Sequence, residues 1–130
     1  MGAMDGKTVL VVSGNLFFLP RIQNAAGPHG LTVRQAATGE AFWDRLSQDD
    51  VALVLVDLEA DRDIWSPIVE ELVSREDRPR IVAYGPHSDV EGLETARSLG
   101  CDAVVTKGQF SRDLHLIVAG GEAAPPVEDG

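Results

Sequence analysis

The side chains with the most chemical potential in this sequence are one carboxylate and one ammonium, each at the end of an apolar run. Asp57 follows Val51-Ala-Leu-Val-Leu-Val56, and Lys107 follows Ala103-Val-Val-Thr106. The two suit an ion pair between adjacent strand ends, in which each charge offsets the other's partial burial. Ser13-Gly14-Asn15, small and polar after Val9-Leu-Val-Val12, suits a turn that cradles a flavin or nucleotide phosphate, although no run of Gly, Ser and Thr surrounds it. Other chemistries lack their residues. His29, His87 and His115 are scattered without the paired spacing of a metal site. The lone Cys101 can form no internal disulfide, and a buried inert thiol in a reducing cytosol is the expectation. No serine or cysteine sits in a nucleophile elbow, so hydrolase chemistry has no support.

The elements that must position these groups alternate between two patterns. Four uninterrupted apolar runs, at 9–12, 51–56, 81–84 and 103–105, suit strands buried on both faces. A fifth segment, 31–36, alternates in polarity as a half-exposed edge strand does. Between them lie segments with helical spacing. Pro20 fits the first position of one helix, which leaves 14–19 as a loop; Ile22, Ala25 and Ala26 face inward before Gly27-Pro-His-Gly30 ends it. A second helix at about 40–47 buries Phe42 and Leu46, and a third carries Ile64, Ile68, Leu72 and Val73 inward. The fourth is capped by Ser88 or Asp89, buries Val90, Leu93, Ala96 and Leu99, and ends at Gly100. A short fifth helix starts at Ser111 and turns Leu114, Ile117 and Val118 inward. Five strand–helix alternations imply an α/β fold, a parallel sheet with helices on both faces and ligands at the carboxyl ends of the strands.

Length and composition fit one domain: 130 residues with 44% apolar content bury a core without staples. With 11 basic against 21 acidic side chains, the formal charge of -10 disfavours binding to nucleic acid or to an anionic membrane. No stretch is apolar for the length of a membrane span, and a cytoplasmic location is expected. Residues 1–6 read as an N-terminal extension or cloning remnant, 7–119 as the domain, and 120–130 as a flexible acidic tail with nothing to bury.

At the strand ends the sequence resembles the receiver domains of bacterial response regulators, over nearly all of residues 7–119. Asp57 in Val54-Leu-Val-Asp57-Leu58 resembles the phosphoacceptor site, and Thr106-Lys107 the Thr-Lys motif whose lysine contacts acceptor and phosphoryl group. Ala37-Thr-Gly-Glu-Ala41 and Leu99-Gly-Cys-Asp-Ala103 resemble the turns around the second helix and before the fifth strand. The resemblance implies a flavodoxin-like (βα)5 fold with strand order 2-1-3-4-5. The pattern also breaks at the site. Ser13 and Gly14 stand where the family has a magnesium-binding acidic pair, Tyr84 where it has threonine or serine, and Val104 where it has an aromatic that moves with that hydroxyl. Tyr84 should project over the site or into the face of the fourth helix. Gly108 replaces a proline after Lys107 and should loosen that loop. The loop after Asp57 lacks the family's proline and glycine and carries extra charge.

Taken together, the residues suggest a degenerate receiver, not an enzyme, that binds a signalling or regulatory protein without phosphorylation and without a cofactor. The favoured surface, by resemblance, is the face of the last two helices and the last strand. Phe17, Phe18 and Trp65, expected to cluster at the edge of the site, are the second choice; buried packing is the commoner fate of such aromatics. One alternative is a working receiver that binds Mg²⁺ and is phosphorylated at Asp57 by a histidine kinase. The other is a cofactor-binding flavodoxin-like protein.

Overall fold

In the computed structural model, which describes residues 7–120, strand and helix alternate throughout the described residues. The order is β1 (Thr8–Val12), α1 (Leu19–Ala26), β2 (Thr32–Ala36), α2 (Gly39–Gln48), β3 (Val51–Asp57), α3 (Arg62–Val73), β4 (Arg80–Gly85), α4 (Val90–Leu99), β5 (Ala103–Thr106) and α5 (Lys107–Val118). The expected extension 1–6 and, apart from Gly120, the expected tail 120–130 lie outside the described residues. All strand pairs are parallel, in the order β2-β1-β3-β4-β5. This is the flavodoxin-like architecture expected from the sequence.

The apolar runs form strands because both of their faces are covered. With a side-chain period of two, Val9, Val11, Leu53, Leu55, Val82, Tyr84 and Val105 point one way, onto Ile22, Ala25 and Ala26 of α1 and Phe110, Leu114, Ile117 and Val118 of α5. Leu10, Val12, Val54, Val56, Ile81, Ala83 and Val104 point the other way, onto Phe42, Ile68, Leu72, Leu93 and Ala96 of α2, α3 and α4. The alternating segment is the edge strand β2, which pairs only with β1.

Helix ends follow their capping residues. Thr38 accepts from Ala41 N–H, and Asp89 from Gly92 N–H. Gly100 closes α4 with φ 107°, a left-handed conformation that suits glycine. Pro20 lies in the first turn of α1, where its missing N–H has no intrahelical partner to lose. Pro67 is inside α3. Val90, expected on the buried stripe, is 58% exposed at the start of α4, and the contact with the core begins one turn later at Leu93.

The last helix departs most from expectation. It begins at Lys107 rather than Ser111 and runs for 12 residues, so it is not short. The cause is a capping box. The Thr106 hydroxyl accepts from Gln109 N–H at 3.2 Å, while the Gln109 side-chain oxygen accepts from Thr106 N–H at 3.0 Å. Gly108 is therefore held in the first turn of α5 and does not loosen a loop. Thr106→Ala is expected to lower the unfolding free energy by about 1 kcal/mol, against about 3–5 kcal/mol for the fully buried Phe110→Ala. Both are read from denaturant unfolding with unchanged slope.

Candidate functional site

The carboxyl ends of β1, β3, β4 and β5 meet at one edge of the sheet, and Asp57 is its buried charge. Only 4% of this residue is exposed. A buried carboxylate needs donors, and Asp57 has one for each oxygen: Ser13 Oγ donates to Oδ2 at 2.8 Å, and Glu59 N–H donates to Oδ1 at 3.0 Å. Ser13 is equally buried, with 1% exposed. Its own groups are all engaged, since its N–H donates to Ala36 O and its carbonyl accepts from the Gln35 side chain. Asn15 N–H donates to Ser13 Oγ at 2.9 Å, which folds the Ser13-Gly14-Asn15 turn back on itself.

Lys107 does not meet Asp57. Its ammonium pairs with Glu59 and lies 5.8 Å from the centre of the Phe18 ring. The expected Asp57–Lys107 ion pair between adjacent strand ends is thus corrected: β4 runs between β3 and β5, and another carboxylate takes the lysine. Glu59, two residues after Asp57, brings a more exposed carboxylate to the lysine while its backbone serves the buried one. Both partners of the pair are partly solvated, so it contributes modestly. The Thr106 hydroxyl faces α5 as its cap.

Tyr84 is paired in register with Asp57 and is 1% exposed. Its ring projects neither over the site nor toward α4, as the sequence suggested, but into the α1–α5 face. There it stacks on Phe110 with centres 4.0 Å apart and planes at 7°, and Phe18 packs edge-on against both rings. Burial, and next the negative charges of Asp57 and Glu59, push the Tyr84 phenol well above its ordinary range, so it stays protonated. Val104 is on the opposite face of the sheet, among the residues packed on α3 and α4. Phe110 was not anticipated from the sequence; its signal was the Phe110, Leu114, Ile117 spacing, hidden by starting the helix too late.

The expected aromatic cluster divides. Phe17 is 71% exposed and edge-on to the buried Phe18 at 5.1 Å, and Leu16 beside it is 60% exposed. Trp65 is fully buried in the other core, beneath α3, because α3 turns this residue inward beside Ile68 and Val69. Its indole N–H is buried without a hydrogen-bond partner. His87 and His115 are exposed and His29 is half-buried. Burial pushes the Cys101 thiol up to about 12, which keeps it protonated. Among the described residues no group of three His, Cys, Asp or Glu is placed to hold a metal ion, and no helix is long and apolar enough to cross a membrane.

No family model and no curated protein matches the sequence. Solved structures do match. The receiver domain of the TMAO respiratory system response regulator TorR superposes with a TM-score of 0.75 at 22% identity, over 88% of this chain and 94% of that one. A CheY-like receiver domain protein from Methanospirillum hungatei JF-1 gives 0.71 at 18% identity, over 88% and 91%. The signal receiver domain of an HD domain-containing protein from Pseudomonas fluorescens Pf-5 gives 0.75 at 15% identity, over 92% and 89%. The chain therefore has the fold of response-regulator receiver domains, over 89–94% of the length of these three.

The hydrogen bonds rank the site's residues. Ser13→Ala removes a donor from a buried carboxylate and is expected to cost about 1.5–3 kcal/mol. Lys107→Met breaks a partly solvated pair and should cost about 1 kcal/mol or less. Urea unfolding of the two variants checks the order, which an Asp57–Lys107 ion pair would reverse.

Proposed function

We propose that this chain is a receiver-fold domain in signal transduction that binds a signalling or regulatory protein without being phosphorylated. The observation that carries the reading is the bond from Ser13 to Asp57. In a phosphorylated receiver, the acceptor carboxylate shares a divalent cation with neighbouring acids, because phosphoryl transfer crowds negative charge that the metal neutralises. Here a neutral hydroxyl donates to that carboxylate, Gly14 brings no side chain, and the nearby Glu59 carboxylate is engaged by Lys107. Mg²⁺ favours several oxygen ligands with carboxylates among them. These residues fit it poorly.

The relay from the site to the surface is also replaced. Tyr84 is packed in a three-ring cluster, and Val104 has no ring to move with it. A domain built this way presents its surface in one conformation. Exposed apolar side chains stand at Leu116 on α5, at Val90 on α4, and at Leu16 and Phe17 beside the site. The last two helices with β5, and the site-edge residues, are the two surfaces proposed for the partner. The same reading makes the chain a cytoplasmic, non-enzymatic module without a bound cofactor. The Ser13-Gly14-Asn15 turn, closed on its own hydroxyl, is a poor phosphate cradle.

Amide NMR titration with Mg²⁺ and then beryllium fluoride, a phosphoryl mimic, tests the proposal. No saturable shifts at Ser13, Asp57 and Lys107 are expected at millimolar metal. Saturable shifts there would overturn it in favour of a receiver phosphorylated at Asp57 by a histidine kinase.

A further inference from the structure

The loop joining β1 to α1 displays the two most exposed large apolar side chains of the described residues, Leu16 and Phe17, and it is held from beneath by the buried carboxylate. Three hydrogen bonds connect them in series. Asp57 Oδ2 accepts the Ser13 hydroxyl proton at 2.8 Å; Ser13 Oγ accepts Asn15 N–H at 2.9 Å; Asn15 Oδ1 accepts Phe17 N–H at 2.9 Å. Each link fixes the next. A serine hydroxyl has one proton, and its other acceptor, Asn15 O, is at 3.2 Å. The hydroxyl points its hydrogen at the nearer carboxylate oxygen of Asp57, which turns the lone pairs of Ser13 toward Asn15 N–H. Leu19 N–H closes the turn on Leu16 O at 3.1 Å, and Phe17 rests edge-on against the buried Phe18.

We infer that Asp57 is a positioning residue: through Ser13 and Asn15 it fixes the apolar prong Leu16–Phe17 in a single orientation at the mouth of the site. The inference rests on the reading of the domain as an interaction module and gives its surface a physical origin. A short exposed loop is ordinarily mobile. An ordered one meets a partner with less conformational entropy to lose. An acidic side chain in the place of phosphoacceptor chemistry thereby has a use that needs no phosphate. Any change that removes the accepting oxygen from Ser13 would release the prong.

Backbone ¹⁵N relaxation of the full chain tests this without a partner and independently of metal binding. Leu16 and Phe17 should show order parameters near ~0.85 in the native protein and below ~0.6 in Ser13→Ala and in Asp57→Ala, with β1 and β3 unchanged. Asn15→Ala, which cuts only the last link, should loosen Leu16 and Phe17 while leaving Ser13 rigid. Ser13→Thr, which keeps the hydroxyl, should restore the native values. If Asp57→Ala does not fold, Asp57→Leu substitutes for it, keeping a branched side chain of similar shape with no accepting oxygen. A prong already mobile in the native protein, or one that stays rigid in either the Ser13→Ala or the Asp57 variant, would overturn the inference. Because the titration with Mg²⁺ and beryllium fluoride reads a different event, failure of one does not entail failure of the other.

Discussion

A carboxylate at the end of a central strand, almost without water, is the constraint around which the rest of this site is arranged. Left unpaired in such a place, Asp57 would be costly, and a group so placed is normally neutralised or surrounded by donors. The chain supplies donors: the Ser13 hydroxyl on one oxygen and the Glu59 N–H on the other. Meeting the carboxylate this way has consequences in both directions along the chain. Ser13, at the end of β1, is locked in the rotamer that folds the following turn. Glu59, placed by its backbone, carries its own carboxylate to Lys107.

The helices around the site then close it from one side. Thr106 belongs to α5 as its cap, so β5 passes into the helix without an intervening loop. Phe110, brought inward by that early start, stacks on Tyr84 from the central strand β4, and Phe18 from α1's approach fills the remaining edge. One ring cluster therefore ties β4, α5 and the β1–α1 loop together. The other face of the sheet, with Trp65, Phe42 and Val104, is a separate core with no share in this contact. Tyr84 and Val104 are divided between the two cores.

The fold was legible because hydrophobic period is a strong signal: runs of β-branched residues gave the strands, alternation gave the edge strand, and Gly100 and Asp89 marked the ends of α4. The same reasoning misplaced the start of α5. Thr106-Lys-Gly-Gln109 reads as a loop until the reciprocal Thr106–Gln109 bonds are seen, and a glycine in the first turn disguises the helix. At the site, the residue types were legible and their partners were not. Asp57 and Lys107 carry opposite charges at strand ends, but nothing in composition identifies Glu59 as the nearer partner of the lysine. Ser13 was read as a lost ligand; its role as a donor depends on a strand-end geometry that only three dimensions supply. Trp65 looked like a neighbour of Phe17 because both flank the site in sequence, whereas the helical turn of α3 sends it to the opposite face.

The hydrogen bond from Ser13 to Asp57 implies that the two side chains are energetically coupled. A double-mutant cycle of Ser13→Ala and Asp57→Ala, measured by urea unfolding in Mg²⁺-free buffer, tests it most directly. A coupling of about 1–3 kcal/mol is expected, in keeping with a hydrogen bond to a buried charge. Additive effects, with a coupling near zero, would contradict it.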